Sequence, residues 1–156
     1  MNEGDNARLV AWSHELRTVH ERLRAALRVT RAALDGGEPT QRATRDLLLF
    51  CHGFCTALTE HHVGEDQVLF PAIAAAHPEL AETLRYLTQD HSMIAHLVSG
   101  LEAATNRGAP RAEIDMHLEG IAAIMESHFA YEERRLLAVL ATLELDADPF
   151  AVLGPL

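Results

Sequence analysis

The chain has 156 residues and a formal net charge of −10, so neither a nucleic acid nor an anionic membrane surface is an expected partner. Hydrophobic residues make up 48% of it and aromatics only 5%, a balance that favours helix packed on helix over sheet. The length suits one domain with a substantial core, and no apolar run approaches the ~18 residues needed to span a bilayer.

Met1 to Asn6 is polar and no apolar segment of signal-peptide type follows, so a cytoplasmic location is expected. Cys51 and Cys55 lie one helical turn apart and form no Cys-x-x-Cys pair; they read as buried thiols in a reducing compartment. Ten histidines are many for this length, and their places along the helices decide the reading.

The first predicted helix runs from about Ala7 to Leu34 and ends at Gly36-Gly37. Its apolar stripe is Leu9, Trp12, Leu16, Val19, Leu23, Leu27 and Thr30, and His20 falls on it. His14 lies about 120° away around the wheel. Taken alone, His20 reads more readily as a core-edge side chain bonded to a carbonyl than as a ligand.

Glu38-Pro39 leads into a second helix from about Thr40, its plausible N-cap, to Ala76. The stripe Leu47, Cys51, Phe54 and Leu58 continues by threes and fours onto His61, Glu65 and Val68. A histidine and a carboxylate thus stand where the periodicity demands core. An ionised carboxylate there is costly unless it is paired or coordinates a metal. His62 borders the stripe, His52 points away, and Pro71 predicts a kink or break.

His77-Pro78 turns the chain into a third helix, from about Pro78 to Asn106. Leu80, Leu84, Leu87, His91, Ile94, Val98 and Leu101 share one face, whereas His96 lies about 140° round from His91. The Gly108-Ala109-Pro110 loop opens a fourth helix, about Pro110 to Leu143, carrying His128 and Glu132. Glu133 competes with Glu132 for the inward position, and His117 sits about three turns below His128. The expected division is a bundle over residues 1–145 and a tail over 146–156. With Pro149, Gly154 and Pro155, the tail is expected to be extended or loosely packed.

The second and fourth helices repeat one pattern. His128 matches His61, Glu132 matches Glu65 and Glu133 matches Asp66, while Ile114, Leu118, Ile121 and Met125 match Leu47, Cys51, Phe54 and Leu58. The first and third match as well, since pairing His91 with His20 aligns Leu87 with Leu16, Ile94 with Leu23 and Val98 with Leu27. The chain is therefore a pseudo-repeat of roughly 70 residues, two copies of a helical hairpin. An interaction bundle with incidental histidines would need six matched positions to coincide by chance.

Short loops between four long helices predict an all-α, up-down-up-down four-helix bundle. Counted at ~1.5 Å per residue from the turns, the four core-facing histidines lie at similar depth and can converge. Four imidazoles and two carboxylates exceed a tetrahedral zinc site and suit two six-coordinate ions bridged by the carboxylates, iron or manganese by ligand type. Magnesium or calcium would prefer oxygen alone.

These motifs, His61-His62-x-Gly-Glu65-Asp66-x-x-Leu-Phe-Pro71 and His128-Phe-x-Tyr-Glu132-Glu133-Arg above all, resemble those of the hemerythrin-like (HHE cation-binding) domains. Val19-His20 and Asp90-His91 support the resemblance, which spans all four helices. It implies a non-haem centre of two iron ions, oxo- or hydroxo-bridged, ahead of manganese or zinc. It implies metal ligation by His20, His61, Glu65, His91, His128 and Glu132. Oxygen-carrying members have a second histidine four residues along the third helix, where this chain has Ala95. Other members use the residue after the second helix's first histidine, which here makes His62 the candidate replacement, with His96 behind it. The implied function is binding or reduction of a small oxidant (O2, hydrogen peroxide or NO), in enzymatic form catalase- or peroxidase-like or NO-reducing. The alternative is an iron or oxygen sensor, or an iron store, without turnover. A monomer or small homo-oligomer is expected.

Overall fold

Each apolar stripe forms a helix, and the four stripes face one another. The computed structural model describes residues 10–35 and 41–156. Helix α1 spans Trp12–Asp35, α2 Gln41–Gly64, α3 Phe70–Ala76, α4 Ala81–Asn106, α5 Arg111–Leu140 and α6 Pro149–Leu153. A π-helical turn, Glu65–Leu69, joins α2 to α3, and a 3-10 turn, Pro78–Leu80, precedes α4. The main packing runs around a ring in which α1 and α4 each lie between α2 and α5. This is the expected all-α, up-down-up-down bundle, with α3 continuing the line of α2.

The core consists of the residues the periodicity singled out. Trp12, Leu16, Leu23 and Leu27 of α1 meet Leu47, Cys51, Phe54 and Leu58 of α2, Leu87, Ile94 and Leu101 of α4, and Leu118, Ile121 and Met125 of α5. Each is apolar and spaced to return to one face, so burying it removes hydrocarbon from water at about 25 cal/mol per Å².

Four local expectations need revision. Among the described residues α1 begins at Trp12, not at Ala7; Ala7 itself lies outside them, as do Gly36-Gly37, Pro39 and Thr40. At Pro71 the helix widens instead of breaking: Phe70 N–H donates to Glu65 O, five residues back, in the π turn that leads into the proline. The wide turn brings Leu69 round beneath Glu65 and leaves Val68 outside, so Leu69 is buried and Val68 exposed. Helix α5 ends at Leu140, three residues early, although Leu143 still packs inward.

The tail departs furthest from expectation. It is a docked strap, not a loose end. Asp148 caps α6 by accepting from Phe150 N–H at 3.1 Å, and Val152 and Leu153 are buried against α2 and the π turn. Farther back, the buried Trp12 indole Nε1–H donates to Leu145 O at 3.0 Å, tying the strap's start to α1. Small apolar residues and a capping aspartate let this short helix form where Pro and Gly had suggested a coil. Replacing Trp12 with Phe keeps an aromatic body but leaves the Leu145 carbonyl without its donor. A loss of about 1–3 kcal/mol is expected in denaturant unfolding of W12F.

Candidate metal centre

The inward histidines meet at one level of the bundle. His20 from α1, His61 and His62 from α2, His91 from α4 and His128 from α5 are buried, with Glu65 from the π turn and Glu132 from α5. They form two groups whose ligand atoms lie within 4.8 Å of one another. One holds His62, Glu65, His91 and His128, the other His20, His61 and Glu132.

Both carboxylates reach across the two groups. Glu65 Oε1 is 3.2 Å from His61 Nε2 and 3.4 Å from His91 Nε2. Glu132 places Oε2 3.1 Å from His128 Nε2 and Oε1 3.7 Å from His20 Nε2. The Nε2 atoms of His91 and His128 are 3.1 Å apart. Two donors held at ~2.1 Å by one ion stand about 3.0 Å apart at a right angle and about 3.4 Å apart at the tetrahedral angle. The spacings fit donors arranged around shared cations.

Four of the five histidines have an acceptor beside Nδ1. His91 Nδ1 lies 2.7 Å from Asp66 Oδ1, and His128 Nδ1 lies 3.1 Å from Asp90 Oδ2. His61 Nδ1 lies 3.0 Å from the Leu153 carbonyl, and His20 Nδ1 faces Glu133 Oε1 at 3.4 Å. Acceptors beside Nδ1 favour the proton there and an Nε2 lone pair pointing inward, the outer arrangement seen around metal-binding histidines, although His20 Nδ1 makes no aligned hydrogen bond.

Inside, the same atoms lack partners. Nε2 of His20, His61 and His62 and all four oxygens of Glu65 and Glu132 are buried without an aligned hydrogen bond. Buried polar atoms are ordinarily satisfied, because stripping their hydration costs on the order of several kcal/mol. A converging set of orphaned lone pairs is what a cation would satisfy. The donors present fit one.

The protonation states follow from the same crowding. Burial, helped by His20, pushes His61 down to about 3, and burial with His91 nearby holds His62 well below its ordinary value. Burial and the neighbouring Glu132 push Glu65 well above the carboxylate range. Glu132 goes the other way: burial opposes its charge, but the adjacent Glu65 carboxyl and His128 outweigh it and hold the carboxyl low. His128 is raised because burial is overcome by the nearby Glu132 carboxylate and by its hydrogen bond to Asp90.

The remaining histidines fall away from the site. His14, His52 and His96 are exposed and His117 is half-buried beside Gly100. Of the two candidates for a further donor on the four-residue group, His62 is inside and His96 is not. Glu132 occupies the interior and Glu133 the flank, where His20 first and Arg24 after it hold its carboxyl below the ordinary range.

Sequence reading missed the outer shell, although the repeat contained it. Asp66 and Glu133 are matched positions, and each faces the Nδ1 of a histidine on an adjacent helix, His91 of α4 and His20 of α1. The repeat also pairs His62 with Phe129. His62 stacks on His91 at 3.9 Å between ring centroids, and Phe129 stacks on His20 at 3.8 Å. That one difference makes one group four-membered and the other three-membered.

A four-helix bundle lined with imidazoles and carboxylates at such spacings is, in chemical class, a metal-binding bundle. A sequence model of the hemerythrin HHE cation-binding domain matches residues 13–140, and the chain belongs to that family. Neither a curated protein nor a solved structure matches the chain. Among the described residues no helix is long and apolar enough to cross a membrane.

Cys51 and Cys55 take no part in the centre. Burial pushes their thiols up to about 11 and about 12, so both stay protonated and weakly nucleophilic. At pH 8 neither should react with an aromatic disulfide reagent until denaturant is added, when two thiols per chain appear.

Proposed function

We propose that the chain holds two iron ions bridged by Glu65 and Glu132 and binds or reduces a small oxidant there, O2, hydrogen peroxide or NO. The observation that carries this reading is that each carboxylate stands within 3.1–3.7 Å of histidines from both groups. In this reading His62, His91 and His128 serve one ion, and His20 and His61 the other. Mixed imidazole and carboxylate ligation favours iron or manganese over magnesium or calcium, and the donors outnumber a zinc tetrahedron.

Iron so held supplies one-electron steps and Lewis acidity toward a small ligand. The chain's own residues do the rest. Neutral His61 and His62 offer lone pairs without first releasing a proton, and the two glutamates offset positive charge. Asp66, Asp90 and Glu133 keep the imidazoles turned inward. Leu58, Leu69 and Phe129, each fully buried, keep bulk water away.

A cavity of about 160 Å³ opens between α2 and α4 against His62 and His91, with Leu58, Ile94 and Val98 on its apolar side and Ala95 beside it. Its volume accommodates a diatomic molecule or a peroxide. This is the size class of ligand that the reading requires.

Purified protein loaded with iron should contain two ions per chain and show a visible absorption band lost on chelation. His20→Ala and Glu65→Ala should each lower the iron content, and two ions retained in both would overturn the assignment. His62→Ala should alter the spectrum, and an unchanged one would remove it from the ligand set. Rapid peroxide consumption by the iron-loaded protein would mark a catalyst; iron bound without it would mark a store or sensor.

A further inference from the structure

Besides the His62–Phe129 exchange, the two halves of the bundle differ in how they hold the histidine that precedes each glutamate by four residues. In the second half, His128 Nδ1 is held by Asp90, the residue just before His91. The matched position in the first half, just before His20, is Val19, whose side chain accepts no hydrogen bond. His61 would be left without an outer partner by the bundle alone. The C-terminal strap supplies one, the Leu153 carbonyl at 3.0 Å.

A carbonyl only accepts, so this contact fixes the proton on Nδ1 of His61 and turns Nε2 toward Glu65 and His20. Two glycines make the approach possible. A Cβ on Gly64 would land on the carbonyl of Val152. Gly64 is the last residue of α2, within a helix where Ala would be favoured by about 1 kcal/mol, so its presence follows from the strap and not from the helix. From the strap's side, Gly154 has φ +95 and ψ −178, a region essentially reserved for glycine, and a Cβ there would sit 3.1 Å from His61 N.

We propose that the Leu153 carbonyl is the positioning group of His61, and that the C-terminal strap thereby sets the affinity of the three-residue metal position. This rests on the reading of the core as a metal centre, and it assigns to the tail a part in that centre. The strap's hydrogen-bonding contact falls on a histidine of the three-residue position. His91 and His128, of the four-residue position, take their Nδ1 neighbours from Asp66 and Asp90 instead.

Gly64→Ala and Gly154→Ala in the full chain test this from opposite sides of the contact, with Gly53→Ala, a helical glycine with nothing within 4 Å of its added Cβ, as control. Long-range proton–nitrogen correlation spectra of the metal-free protein should show His61 as the Nδ1–H form in the parent and the control. Both strap variants should lose that pattern, while His128 keeps its own. Anaerobic titration with ferrous ion should then show the first equivalent unchanged and the second weakened about 10–100-fold. An unaltered His61 pattern in both strap variants, or an altered one with both equivalents bound as in the parent, overturns the proposal. So does the same loss in Gly53→Ala. Should the parent bind no iron, the proposed function fails while the imidazole spectra still decide whether the strap holds His61.

Discussion

Two carboxylates buried side by side in a hydrocarbon core are the constraint around which this bundle is built. Glu65 and Glu132 are both fully inaccessible, and burial drives the pair toward sharing a proton. A core could avoid that penalty simply by placing leucine at both positions, since replacing buried ionic groups by apolar ones is often neutral or stabilising. Their presence makes sense through what surrounds them. Five imidazoles converge on the same space, four of them with an acceptor beside Nδ1. Around this centre the helices need only do what amphipathic helices do.

Most of that architecture can be read from the chain as a string. The helical period put His20, His61, His91 and His128 on apolar faces, and the repeat turned a commonplace His-x-x-x-Glu into a doubled one. What could not be read is what depends on backbone detail. A π turn ahead of Pro71 is invisible to a 3.6-residue period, so Val68 was expected where Leu69 packs. The strap was misread because Pro149, Gly154 and Pro155 signal a coil, while the burial of Val152 and Leu153 depends on a neighbouring surface that only the folded bundle offers. A backbone carbonyl has no letter of its own, and Leu153 O acting on His61 leaves no trace in the sequence except two glycines. The acidic outer partners were legible in principle, because Asp66 and Glu133 occupy matched places.

The approximate twofold repeat also shows where the two halves have diverged. Asp66 and Glu133 preserve the symmetry, each attending a histidine of a neighbouring helix in the ring. His62 and Phe129 break it, and so do Asp90 and Val19. Phe129 keeps the stacking role of His62 while giving up its nitrogen, and it gains Arg24 over its face at 5.4 Å from the ring centroid. Packing at the two positions is thus conserved in shape while the donor count differs. The two ends of the centre are unequal by a single aromatic exchange.

The burial of Cys51 and Cys55 bears on how such a protein would age. Thiols kept protonated and enclosed are poor targets for peroxide, and Met125 is equally enclosed at 1% exposure. Met93 and Met116, by contrast, stand 53% and 72% exposed on the outer surface. Sulfoxide formed there adds polarity where water already is and disturbs no packing. Oxidative wear is thereby directed to sulfurs that the fold can spare.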